Sequence, residues 1–179
     1  MAKTKQQTRE PTLRDLVNAA VFDQPLAGRM LQRNPGLLTD VNGIGETALA
    51  DVVIENYLEA ARFLLDDGAD INTRDMSRET PLIQAAHLGY REMVGLLLGR
   101  GADVDARDEG QETALFKAAR YGHAEVCEAL LVAGAELDIQ NDMEESLLDV
   151  VLPRKREQVL GVLARRGYRE PVPPQVHGT

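Results

Sequence analysis

The stretch from Glu79 to Asp105 reads ETPLIQAAHLGYREMVGLLLGRGADVD. Thr80 and Pro81 predict the start of a helix, because threonine can accept from a free backbone amide and proline suits the first helical position. Gly89 predicts the end of this helix in a left-handed conformation. A second helix is predicted to follow, because its apolar residues keep helical spacing up to Gly101. The stretch therefore indicates two short helices, after which the chain runs out into a β-turn finger.

The same pattern returns along the chain about every 33 residues. The next copy, residues 112–138, reads ETALFKAARYGHAEVCEALLVAGAELD. A single copy cannot bury its apolar face, so neighbouring copies are expected to stack and form one core. Three columns keep this period without a shift: Gly68, Gly101, Gly134 and Gly167; Thr47, Thr80, Thr113 and Ser146; Leu49, Leu82, Leu115 and Leu148.

These copies resemble the ankyrin repeat family, whose pattern is Thr-Pro-Leu-His, Ala-Ala, Gly-His, a Leu-Leu pair and Gly-Ala-Asp. The resemblance covers roughly residues 13–168. It implies an all-α solenoid of about five repeats, each a helix-turn-helix with a β-turn finger. We expect a polar tail (1–10), a divergent capping repeat (11–42), three ankyrin repeats (43–75, 76–108 and 109–141), a second divergent capping repeat (142–168) and a Pro-rich tail (169–179).

The chain departs from the family pattern at several positions. The family's motif histidine, which ties adjacent repeats by hydrogen bonds, is absent, so packing must replace those bonds. The turn glycine of the finger is kept only at Gly45, so the finger conformations are predicted to vary. Pro153 and Lys155 predict a remodelled turn between the last two helices. The motif histidine is replaced by Ala50, Ile83, Phe116 and Asp149, the turn glycine by Arg78, Gln111 and Glu144, and the inter-helix glycine of the first full copy by Asn56.

The formal net charge of −9 is unevenly distributed. Residues 40–150 carry a net charge of −16, whereas residues 1–39 carry +3 and residues 151–179 carry +4. An acidic surface repels a phosphate backbone, so nucleic-acid binding is disfavoured. Two interpretations stay open, in which the acids either keep an elongated protein soluble or steer a basic partner.

Composition and motifs limit the other function classes. Cys127 is the single cysteine, so no intrachain disulfide can form. Neither a signal peptide nor an apolar run long enough to cross a membrane is seen, and we expect a cytoplasmic protein. His123 and Cys127 lie four residues apart, but these positions are structural in the family that the chain resembles. We predict no enzymatic activity, cofactor or metal site.

The resemblance implies that a partner protein binds the concave surface, which finger tips and first helices form. Five apolar side chains are expected to be exposed there (Ile44, Met76, Leu88, Tyr121 and Met143), unless they pack on a neighbouring finger. Arginines at the candidate positions could instead pair with finger carboxylates. Matching positions gives these candidate partner-binding residues: Ile44, Glu46, Ile54, Arg74, Met76, Glu79, His87, Leu88, Arg107, Glu109, Glu112, Arg120, Tyr121 and Met143.

The sequence therefore favours a non-enzymatic adaptor or scaffold that binds another protein. An acidic inhibitor or immunity-type protein that blocks a basic site on an enzyme or toxin is the first alternative. An enzyme built on His123 and Cys127 is a second. A homodimer that uses the apolar strip as its interface is a third, although a monomer is expected.

Overall fold

The computed structural model describes residues 10–151 and 156–167. In this part of the chain, α-helices follow one another in pairs, with a 3-10 turn at Pro35–Leu38 and no strand. This is the all-α solenoid that the sequence predicts. The helices are α1 (Leu13–Phe22), α2 (Gln24–Arg33), α3 (Ala48–Ile54), α4 (Leu58–Asp66), α5 (Pro81–Leu88), α6 (Arg91–Gly99), α7 (Ala114–Tyr121), α8 (Ala124–Val132), α9 (Leu147–Val150) and α10 (Arg156–Arg165).

The helices stack in two rows. The first helix of each repeat belongs to one row, in which α5 packs on both α3 and α7. The second helix of each repeat belongs to the other row, in which α6 packs on α4 and α8. The core lies between the rows and includes the fully buried Ala85 and Ala86. These small side chains let neighbouring repeats approach closely. In the last repeat Leu147 is buried and Leu148 only half-buried, so Leu148 occupies a less enclosed position than its counterparts.

The helix ends follow the chemistry of their sequences. Thr47, Thr80 and Thr113 each accept a hydrogen bond from the backbone N–H three residues further on, at 3.3–3.4 Å. These side chains satisfy N–H groups that have no partner within the helix. Gly89 and Gly122 end α5 and α7 with φ angles of 76° and 74°. Glycine adopts this left-handed conformation without a steric penalty, which explains the Gly at these two turns.

Packing takes the place of the missing motif histidines, as expected. Ala50, Ile83 and Phe116 are buried. Asp149 instead pairs with the residue just before its own helix, because it accepts hydrogen bonds from the backbone N–H and the hydroxyl of Ser146 at 2.8 and 2.6 Å. The link between repeats is therefore apolar at three of the four positions.

The four fingers share one backbone conformation, so the prediction that they vary is wrong. Gly45 has a φ of 83°, and the residues at the equivalent positions have φ angles of 61–62° although none of them is glycine. Those residues are Arg78, Gln111 and Glu144. The fold therefore holds the left-handed conformation at this position even where a side chain makes it unfavourable.

A column of asparagine and aspartate explains this uniformity. The side-chain oxygen of each accepts a hydrogen bond from the backbone N–H of the glutamate four residues further on, at 2.8–3.0 Å. Side chains of this kind stabilise tight turns in the way that a backbone carbonyl does. The sequence-based predictions do not use this column, although its members keep the 33-residue period of the three other columns. The members of the column are Asn42, Asp75, Asp108 and Asn141.

Substituting glycine for Gln111 is expected to raise the free energy of unfolding by about 0.5–1 kcal/mol, because glycine relieves the left-handed strain. Urea unfolding would measure the change. Gln111→Ala is the matched control, since it removes the side chain but keeps the strain, and we expect little effect from it. Gly45→Ala should destabilise the protein, since its Cβ would lie 3.1 Å from the backbone nitrogen of Met76. A Gln111→Gly variant that is less stable than Gln111→Ala would contradict this account of the finger.

Some predictions fall on residues that the structure does not describe. They concern residues 1–9 of the polar tail, the Pro-rich tail at residues 169–179, and the turn with Pro153 and Lys155. Within the described ranges, the longest helices have ten residues, and none is long and apolar enough to span a bilayer.

Candidate protein-binding surface

The finger tips form a connected edge. Three of them donate a backbone N–H to a carbonyl of the preceding finger, at 2.9–3.2 Å. The bonds join Met76 to Ile44, Glu109 to Ser77 and Asp142 to Gly110. The position of each finger is therefore set by its neighbour, and the tips present a continuous rather than an independently moving surface.

Arg74 and Arg107 strengthen this edge. Arg74 Nη1 donates to the backbone carbonyl of Arg107 in the next finger at 2.6 Å and to that of Arg78 at 3.1 Å. Arg107 Nη1 donates in the same way to the carbonyl of Gln140 at 3.3 Å. Both guanidinium groups thus bridge successive fingers, and we assign these two candidate residues a structural role.

A cluster of charges joins the fingers to helix α7. Lys117 Nζ lies 2.8 Å from Asp108, 3.1 Å from Glu79 and 3.2 Å from Glu112. Burial by itself would lower the pKa of Lys117, but hydrogen bonds and charge from Asp108 and Glu79 raise it above its ordinary value. Lys117 therefore stays protonated, and its ammonium group holds two fingers against α7.

Arg120 extends the same cluster toward the last repeat. Its guanidinium pairs with Glu112 and lies 3.4 Å from the carboxylate of Glu145. Burial would raise the pKa of Glu112, but Arg120 and Lys117 together lower it. Because Glu112 is buried and paired within the chain, it is poorly placed to contact a partner.

The five apolar candidates are exposed. Relative exposure is 73% for Met76, 75% for Met143 and 57% for Ile44, whereas Leu88 and Tyr121 are exposed by 40% and 39%. Arg74 and Glu109 are also exposed. The remaining candidates apart from Glu112 are half-buried: Glu46, Ile54, Glu79, His87, Arg107 and Arg120.

Phe22 is a residue that the candidate set omits. It ends α1 and has a relative exposure of 80%. Its position precedes that of Leu88 by two periods and that of Tyr121 by three, so it belongs to the same column of first-helix ends. The period of the sequence places it at this first-helix end, and it extends the apolar positions into the N-terminal repeat.

Ring stacking fixes the position of Tyr121. The rings of His87 and Tyr121, which come from successive repeats, stack with their centroids 4.4 Å apart. His123 Nε2 lies 2.9 Å from the backbone carbonyl of His87, and its ring occupies the space where a Cβ at Gly89 would lie, 2.6 Å from Nδ1. These contacts give His123 the structural role that its position suggests.

The arrangement around Cys127 does not suit nucleophilic catalysis. Its side chain is fully buried, and burial raises the pKa of the thiol to about 12. A nucleophilic cysteine needs a lowered pKa, because the thiolate is the reactive form. Within the described ranges, no group of three or more His, Cys, Asp or Glu residues could hold a metal ion.

Comparison with known families agrees with this geometry. A family model described as ankyrin repeats (3 copies) matches residues 75–141, and a second described as ankyrin repeats (many copies) matches residues 47–98. Together they span more than half of the chain. The protein therefore belongs to the ankyrin repeat family, whose members are generally protein–protein interaction modules and typically not enzymes. No curated protein matches the chain.

Proposed function

We propose that this protein is a non-enzymatic adaptor that binds a partner protein through its concave surface. By concave surface we mean the finger tips and the exposed ends of the first helices. The main support is the set of exposed apolar side chains at Ile44, Met76, Leu88, Tyr121 and Met143. Exposed apolar groups of this kind commonly mark interaction sites, and Tyr is frequent among residues that dominate binding energy.

The rigidity of this surface also supports the proposal. Stacking holds Tyr121 against His87, and backbone hydrogen bonds hold the finger tips together. A surface whose side chains are already fixed loses less conformational entropy when it binds.

Methionines at the finger tips add adaptable apolar contact, because the side chain is flexible and polarizable.

An acidic inhibitor or immunity-type protein is the second candidate function. It is favoured by the net charge of −16 over residues 40–150. If a basic active site were the target, association would weaken strongly as salt screens the charges. A partner that binds equally well at low and high salt would rule this candidate out and leave the apolar contacts as the basis of binding.

The double substitution Leu88→Ala/Tyr121→Ala is expected to weaken partner binding at least about tenfold, because both exposed side chains lose their contact area. Affinity capture followed by measurement of the dissociation constant would check this. Val132→Ala is the matched control, because Val132 is 65% exposed but lies on α8, which is the second helix of its repeat. A partner that the double variant keeps at full affinity would refute binding at this surface.

Sedimentation of the free protein distinguishes a homodimer from a monomer that binds another protein. A monomer mass that does not change with concentration is expected if the concave surface serves another protein. A mass that doubles as concentration rises, and that the double variant restores to the monomer value, would show that the apolar positions form a self-association interface instead.

A further inference from the structure

A small cleft lies between the repeat that contains α3 and the repeat that contains α5. Its volume is about 220 Å³, and three carboxylates line it, those of Glu46, Asp75 and Glu79. The apolar side chains of Ile54 and Leu88 belong to the same lining. The cleft therefore combines concentrated negative charge with aliphatic contact area.

Gln84 also lines this cleft and carries a second, independent observation. The residue is only 5% exposed, and its Nε2 donates to Asp75 Oδ2 at 3.2 Å, which places the amide end beside the carboxylate of the cleft. Its Oε1 is buried and has no hydrogen-bond partner among the described residues. A buried amide oxygen without a donor is unfavourable, so an N–H group that reached this oxygen would be stabilising.

The next repeat shows what such a group of carboxylates holds. Lys117 stands one period after Gln84, and its ammonium nitrogen lies 2.8–3.2 Å from the carboxylates of Asp108, Glu79 and Glu112. One repeat earlier the chain keeps the carboxylates but has glutamine where the lysine would be. The equivalents of those three carboxylates, each one period earlier, are Asp75, Glu46 and Glu79.

We propose that the cleft at Gln84 binds the ammonium group of a lysine side chain from the partner protein. The lysine ammonium donates to the carboxylates of Glu46 and Asp75 and to the unpartnered Oε1 of Gln84, after a small movement of the amide. Ile54 and Leu88 contact its methylene groups, as lysine stems commonly lie along apolar surface. This inference rests on the proposed function and assigns one chemical preference to part of the concave surface.

A small probe tests the cleft without any partner. The probe is Nα-acetyl-lysine N-methylamide, added to the full chain while the ¹H–¹⁵N NMR signals of the Gln84 side-chain amide and of Leu88 are followed. Saturable shifts at both positions are expected. The norleucine analogue, which has the same stem without the ammonium group, is expected to cause shifts at least about tenfold smaller. Equal shifts from both probes would overturn the proposal.

Two variants of the chain complete the test. Gln84→Lys places an ammonium group of the chain itself in the cleft, as Lys117 does one repeat later, and should abolish the response to the probe. Glu46→Gln removes one charge from the half-buried edge of the cleft and should weaken probe binding several-fold. An unchanged response in either folded variant would count against the lysine site.

The probe experiment and the capture experiment test the two proposals separately, because each can succeed while the other fails. If the Leu88→Ala/Tyr121→Ala variant loses its partner but the lysine probe does not bind, the cleft proposal is wrong and the adaptor function stands. If the probe binds but the double variant keeps its partner, the cleft is an ammonium site and the concave surface is not where that partner docks.

Discussion

Replacing Lys117 with methionine is expected to lower the free energy of unfolding at neutral pH by about 3–5 kcal/mol, because it leaves buried carboxylates without their counter-charge. Asp108 and Glu112 are 5% and 8% exposed, and both lie within 3.2 Å of the lysine nitrogen. Urea unfolding at pH 7 would measure the loss. Arg62→Met is the control, because Arg62 pairs with Glu59 at an exposed site and such pairs contribute less than about 1 kcal/mol.

The pH dependence of this loss follows from the direction of the two pKa shifts. The pKa of Glu112 is lowered from 4.5 in the folded protein, so its stabilising contribution is present above pH 4.5 and is lost as the pH falls through the folded value. The pKa of Lys117 is raised from 10.5, so its contribution is present below pH 10.5 and is lost above the folded value. The difference between wild type and Lys117→Met should therefore be largest between about pH 5 and 10. A difference that stays constant down to pH 2 would contradict the charge cluster.

Truncation of Leu130 to alanine is expected to cost about 2–5 kcal/mol, because it removes buried methyl groups and leaves a cavity. Leu130 is fully buried on α8, between repeats that depend on one another for their core. Leu97, which occupies the same position one repeat earlier, should behave alike when it is replaced by alanine. Val132→Ala is the control on the same helix, because Val132 is exposed, and should change stability by less than about 0.5 kcal/mol. A loss below about 1 kcal/mol for Leu130→Ala in urea unfolding would be incompatible with its place in the core.

The helices of this protein could be predicted well because their signals are local and repeated. The threonine that precedes each of α3, α5 and α7 and the glycine that follows α5 and α7 act within a few residues of themselves. The fixed period then repeats each signal, so that a weak indication in one copy is supported by the others.

The fingers were predicted less well because their conformation depends on more than the turn glycine. Loss of that glycine at Arg78, Gln111 and Glu144 suggested a changed turn. The asparagine or aspartate three residues earlier holds the finger in place instead, and that signal was present in the sequence. In physical terms, several hydrogen bonds per finger outweigh the strain of one left-handed residue.

The exposure and pairing of the candidate residues could be predicted only in part, because they depend on how the fingers lie against the helices. Exposure of Leu88 and Tyr121 follows from their column alone. The carbonyl contacts of Arg74 and Arg107, and the burial of Glu112, arise only once adjacent fingers are in register. No local pattern carries that information, since both arginine contacts join residues of different repeats.

The proposed binding surface is tested most directly by site-specific photo-crosslinking. A benzophenone amino acid would be placed at Leu88, on the concave surface, and separately at Val132, on the second helix α8. Both positions are exposed, so each probe can reach a bound protein. We predict that the probe at position 88 crosslinks to the partner and that the probe at position 132 does not. Crosslinking from position 132, with none from position 88, would contradict binding through the concave surface.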